Sequence, residues 1–74
     1  MDQGLTVELN GQTRLLESIA DPSPLGAVIA ALELKSDRVA VELNGEIVRR
    51  SARAEAAVRS GDRLEIVHFV GGGC

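Results

Sequence analysis

Leu64-Glu65-Ile66-Val67-His68-Phe69-Val70 runs directly into Gly71-Gly72-Gly73-Cys74, and this one stretch decides how the chain is built. Alternation puts Leu64 and Ile66 on one face of a strand and Val67 and Phe69 on the other. A strand with two apolar faces belongs in the middle of a sheet. The three glycines behind it lack a Cβ, so they make an exposed, flexible arm that can lie flat in a narrow channel. An arm of that kind can deliver its terminal carboxyl group to another protein's active site. Fully extended, Gly71 to Gly73 reach about 10 Å from the body of the domain.

Working back from that strand, Ser60-Gly61-Asp62 forms the turn that feeds it. Upstream, Arg38-Val39-Ala40-Val41-Glu42-Leu43 reads as a strand closed by Asn44-Gly45, with Glu46-Ile47-Val48 leading away. At the other end, Leu5-Thr6-Val7-Glu8-Leu9 alternates apolar and polar, and Asn10-Gly11 turns it into a second strand over Gln12 to Leu16. Asn-Gly is the strongest short hairpin signal because both residues tolerate positive φ. Val-Glu-Leu-Asn-Gly therefore occurs twice, at Val7–Gly11 and Val41–Gly45, and reads as one hairpin solution used twice rather than a repeat array.

Between the hairpins, Leu25, Val28, Ile29 and Leu32 form an apolar helical stripe, weakened a little by Gly26. The pattern places Ser23 at the N-cap and Pro24 at the first helical position. Ser51 is expected to cap a second, short helical stretch through Val58. The economical packing lays the main helix across one face of a mixed sheet of four to five strands. That is an α+β, ubiquitin-like β-grasp domain over residues 1–70, with a flexible tail over residues 71–74. The uncovered face then offers an apolar patch beside the tail.

The chain is 74 residues long, one small domain, and its 45% hydrophobic and 26% charged residues suit a folded globule rather than disorder. Phe69 is the only aromatic, so the core rests on Val, Leu, Ile and Ala. The net charge of −3 and scattered basic residues argue against a nucleic-acid surface. No apolar run approaches a membrane span, the N-terminus lacks a signal-peptide pattern, and the single cysteine has no internal partner. A cytoplasmic, reducing setting is the expectation.

Val39 to Val48, and above all Gly61-Asp62-Arg63-Leu64-Glu65-Ile66-Val67-His68-Phe69-Val70-Gly71-Gly72-Gly73, closely resemble the ThiS-type sulfur carriers of thiamine biosynthesis. The resemblance runs from Leu5 to Gly73. Related molybdopterin sulfur carriers also end in two glycines but usually lack the His-Phe-Val lead-in. The resemblance implies a carrier that is not itself an enzyme. A ThiF-type adenylyltransferase would use ATP to adenylate Gly73, a cysteine desulfurase would supply sulfur as a persulfide, and the product would be a glycyl thiocarboxylate. A ThiG-type thiazole synthase would then take the sulfur. No cofactor resides in the chain on this reading.

Two residues depart from the family pattern. Arg49 stands where the family often has proline, which alters only a local turn. Cys74 follows the glycine that should be terminal and would lock the Gly73 carboxyl in an amide. The preferred reading is that a peptidase removes Cys74. A redox thiol, a persulfide carrier and an intermolecular disulfide remain open for it, and Cys74 with His68 cannot make a zinc site without a second chain. His68 reads as a packing or rim residue before an acid or base. Val67 and Phe69 serve either as core or, with Arg50, as a partner-docking patch; the Arg49-Arg50 pair otherwise reads as plain solvated surface. The sequence also leaves open a carrier for another sulfur acceptor, a protein-conjugating modifier, or a β-grasp binding module with an inert tail.

Overall fold

Two left-handed turns frame the sheet. In the computed structural model, which describes residues 4–69, Asn10 and Asn44 have φ of 49° and 52°, and the glycines after them 85° and 89°. Positive φ at both central positions is the hairpin geometry whose twist matches that of paired strands. The first turn joins β1 (Leu5–Leu9) to β2 (Gln12–Leu16), with Leu5 opposite Leu16 and Leu9 opposite Gln12. The second joins β4 (Val39–Leu43) to β5 (Glu46–Val48), with Val41 opposite Val48. Between the two hairpins lies β7 (Arg63–His68), parallel to β1 and antiparallel to β4. The order β2-β1-β7-β4-β5 puts the last strand at the centre, as its apolar residues demand.

One face of the sheet is covered by α1 (Leu25–Ala31). Leu25, Val28 and Ile29 meet Leu5, Val7, Val41 and Leu64, each at most 1% exposed. Burying one such side chain contributes about 1.5–3 kcal/mol, so this seam holds the domain together. Leu32 packs partly buried against the same cluster, completing the stripe. The result is the β-grasp arrangement, with five strands in the main sheet.

The helix ends differ from the sequence expectation. Ser23 does not cap α1, because its Oγ donates to the Ala20 carbonyl at 2.5 Å. Ser23–Pro24 instead forms β3, antiparallel to β6 (Ala57–Val58). Pro24 stands at the N-cap with extended backbone, not at the first helical position, so α1 begins one residue later than expected. The first helical amides are satisfied across space: Leu25 N–H donates to Ala56 O at 2.8 Å and Gly26 N–H to Arg53 O at 3.1 Å. At the other end, Glu33 N–H reaches Ala30 O and Leu34 N–H reaches Ile29 O, a Schellman closure. Its left-handed residue is Glu33 at φ 62°, where glycine is usual.

The expected helix from Ser51 through Val58 is also corrected. Residues Arg50–Ala52 make a single 3-10 turn without a side-chain cap, and the chain then turns into β6. Pairing with β3 draws Ala57–Val58 into extended form and buries Val58 completely. Arg38 ends a 3-10 turn (Ser36–Arg38) rather than opening β4. Among the described residues no helix is long and apolar enough to cross a membrane.

Candidate functional site

The repeated pentapeptide does more than turn the chain. Both of its asparagines clasp β7, one from each side. Asn10 Oδ1 accepts the Ile66 N–H at 2.8 Å while Asn10 Nδ2 donates to Ile66 O at 3.2 Å. A side-chain amide thus takes the place of a strand peptide group where β1 ends. Asn44 Oδ1 accepts the Arg63 N–H at 2.9 Å, and its Nδ2 donates to Asp62 Oδ1 at 3.2 Å. The strand leading to the glycines is therefore gripped at its entrance and again near its exit. On the β4 side the pairing continues to Phe69, whose N–H donates to Arg38 O at 2.9 Å.

The exit end is braced from below by Arg53, which is 5% exposed. Its Nη1 donates to Ser36 O and Ser36 Oγ at 2.8 and 3.0 Å, and its Nη2 to Val39 O at 2.8 Å. Val39 lies opposite His68, so the brace fixes the backbone on which the exit strand rests. Its Nε is buried with no hydrogen-bond partner. Burial, and secondarily the positive charge of Arg50, lowers the guanidinium pKa from its usual value. All three acceptors are neutral, so the group keeps its charge by hydrogen bonding rather than by an ion pair.

The face turned away from α1 carries the residues expected at a docking surface. Val67 and Phe69 are 60% and 58% exposed, which removes them from the core. Val67 lies opposite Ala40, and Ile47 on β5 is 75% exposed. Toward the hairpin turns this face becomes charged. Glu42 and Glu65 stand directly opposite each other, and Glu8 stands opposite Arg63. Like charges opposite one another weaken a sheet slightly. With Gly11, Gly45 and Leu64 these residues line a shallow cavity of about 250 Å³. Arg50 is exposed at the start of its 3-10 turn, near enough for its charge to act on the buried Arg53. His68 is exposed at the end of β7, a rim position. Gly71, Gly72, Gly73 and Cys74 lie outside the described residues.

Two parts of this arrangement were not foreseen from the sequence. The twin Asn-Gly turns signalled hairpins, and the repetition itself was the only hint that both asparagines grip one strand. Arg53 gave no signal at all, since nothing in Arg50-Ser51-Ala52-Arg53 marks one arginine as buried.

The family model described as "ThiS family" matches residues 7–73. The chain is 34% identical over 67 residues to the sulfur carrier protein ThiS of Bacillus subtilis, covering 90% of this chain and 98% of that one. It is 43% identical over 65 residues to a thiazole synthase of Paramagnetospirillum magneticum, covering 88% of this chain but 19% of that protein. The chain spans about a fifth of the length of the thiazole synthases it matches. The crystal structure of the thiamine biosynthesis protein ThiS from Geobacter metallireducens superposes with a TM-score of 0.79 at 31% identity, covering 93% of this chain and 100% of that one.

Proposed function

The chain belongs to the ThiS family, and from that premise we propose that it is a sulfur carrier of thiamine biosynthesis whose working group is the carboxyl of Gly73. The observation that carries the proposal is the family match through residue 73, which takes in all three glycines. The pairing of Phe69 to Arg38 supports it, because the chain is held in register a short way before the glycines in sequence.

The chemistry follows from the weakness of a carboxylate as an acyl donor. Its negative charge repels nucleophiles and oxide is a poor leaving group, so an ATP-using, ThiF-type partner must act first. The Gly73 carboxylate attacks the α-phosphate of ATP, pyrophosphate leaves, and an acyl adenylate forms. The terminal sulfur of a persulfide, supplied by a cysteine desulfurase, attacks the acyl carbon and AMP leaves. A thiol then breaks the S–S bond of that adduct, forming a disulfide and freeing the thiocarboxylate. The charge now sits on a soft, nucleophilic sulfur suited to attack on the substrate of a ThiG-type thiazole synthase. The chain contributes presentation: a threadable tail, with Val67 and Phe69, joined by Arg50, as the surface that docks. Cys74 has to be removed by a peptidase before Gly73 can be adenylated. The relatives called thiazole synthase support the thiazole ring as the destination of the sulfur.

The test uses the full-length chain and a form ending at Gly73, each with a ThiF-type enzyme of the same organism, ATP and a persulfide donor. Mass spectrometry should find oxygen replaced by sulfur on the trimmed form alone. No exchange on either form would sink the carrier reading, and exchange on the untrimmed form would sink the requirement for a peptidase.

A further inference from the structure

The backbone of β7 alternates between its two neighbours, and the alternation leaves one position open. The carbonyls of Asp62 and Leu64 turn toward β1, accepting the Glu8 and Asn10 amides at 3.0 and 2.8 Å. Ile66 turns the same way and is met by the Asn10 side chain instead of a strand. Arg63 and Phe69 turn the other way, toward the β4 side, through Asn44 and Arg38. With a period of two, His68 presents its N–H and C=O on the β1 side. There β1 has already ended: its pairing closes with Leu9 opposite Leu64. Among the described residues the exit strand is paired on one side as far as Phe69 and has no strand partner on the other at His68.

We propose that this half-edge is a strand-addition site, where an extended segment of the activating enzyme pairs with the backbone at His68 as the tail enters the active site. The inference rests on the carrier reading and goes beyond it by naming a backbone contact. Three observations favour an extended peptide over another occupant. The free groups are a donor and an acceptor spaced as in a strand, which a second strand satisfies and a side chain does not. The Asn10 amide fixes the register by filling the position before them. Pairing with β4 holds the strand flat and extended, so the incoming segment meets a preordered template and loses less in ordering it.

Proline at position 68 separates this contact from the fold. The His68 N–H points away from β4, so His68→Pro removes the outward donor while leaving the β4 ladder bonds in place, and proline is tolerated at such edge positions. The measurement is the KM for the carrier in ATP–pyrophosphate exchange with the activating enzyme, using the form that is adenylated in the assay above. The expected result is a KM raised about tenfold or more by H68P, with undiminished exchange protection of the Val67 and Phe69 amides in the free domain. In the wild-type complex the His68 amide should become protected from hydrogen exchange. An equal rise in KM for His68→Ala would assign the effect to the imidazole and overturn the proposal. So would an unprotected His68 amide in the complex, whatever the variants do. Protection that grows with the concentration of the chain alone would make a second copy the occupant, which also overturns it. If H68P matches wild type, the edge is unused and the carrier reading stands. If the enzyme adenylates no form of the chain, the carrier reading falls and this inference with it.

Discussion

Replacing Asn10 or Asn44 by glycine removes the same kind of grip from opposite sides of one strand, yet the two changes should not cost the same. Glycine keeps the positive φ that both turns need, so hairpin geometry is preserved and only the side-chain bonds are lost. Asn10 loses two bonds to the peptide groups of Ile66, and both are partly buried. Each is worth about 1 kcal/mol net, and a partly buried amide left unmatched sits at the upper end of that range. Relief of the left-handed strain on asparagine returns part of this, and the expected loss for N10G is about 1–2 kcal/mol. Asn44 loses two bonds that lie in solvent, where water replaces them, so N44G should cost about 0–1 kcal/mol. Urea denaturation of both variants beside the wild type measures the difference directly. At this chain length 1 kcal/mol corresponds to a shift of about 4–8 °C in Tm, well within resolution. Amide exchange adds a local readout: Ile66 should exchange faster in N10G, while Arg63 should do so in N44G. A loss in N44G equal to or greater than that in N10G would refute the argument that burial ranks the two grips.

Glu33 occupies the left-handed closing position of α1, and Glu33→Gly should stabilise the domain by about 0.5–1 kcal/mol, read as a rise in the urea midpoint at unchanged m. Arg53→Lys should destabilise at pH 7, because an ammonium cannot span Ser36 and Val39 together and is more costly to bury than a guanidinium. Burial lowers the pKa of a lysine, so between its folded and unfolded values the unfolded chain binds more protons and stability rises with pH. Part of the loss in R53K should therefore be regained between about pH 8 and pH 10, where the wild-type guanidinium stays protonated in both states. Urea melts across that range that show no recovery relative to wild type would contradict the buried-cation account.

The sequence carried the sheet because its signals were local or two-sided. Asn-Gly pairs announced both hairpins, and the double apolar character of Leu64 to Phe69 announced the central strand. The helix stripe of Leu25, Val28, Ile29 and Leu32 was equally legible, since periodicity records burial. What failed were the ends. Ser23 and Ser51 are good caps by propensity, but Ala56 and Arg53 carbonyls reach the first amides of α1 from across the fold, and strand pairing claims Ser23 and Ala57. Tertiary partners of that kind leave no mark in a single sequence. Within the candidate site, alternation put Val67 and Phe69 on one face but left open whether that face was core, and the structure, with α1 on the other face, exposes both. Arg53 stayed invisible because its worth lies in the carbonyls of Ser36 and Val39, and backbone carbonyls are the same in every sequence.

The central seat of β7 also has a consequence for biosynthesis. The two hairpins never touch as neighbours in the main sheet, and each borders β7 instead. A lone two-stranded hairpin is at best marginally stable in water. A nascent chain that has not yet released Arg63 to His68 from the ribosome thus holds two loose hairpins and no sheet. Closure waits for β7, so a chain cut short before Arg63 stays unstructured and open to proteolysis. The enzymes that would load the carrier then meet only molecules synthesised through β7.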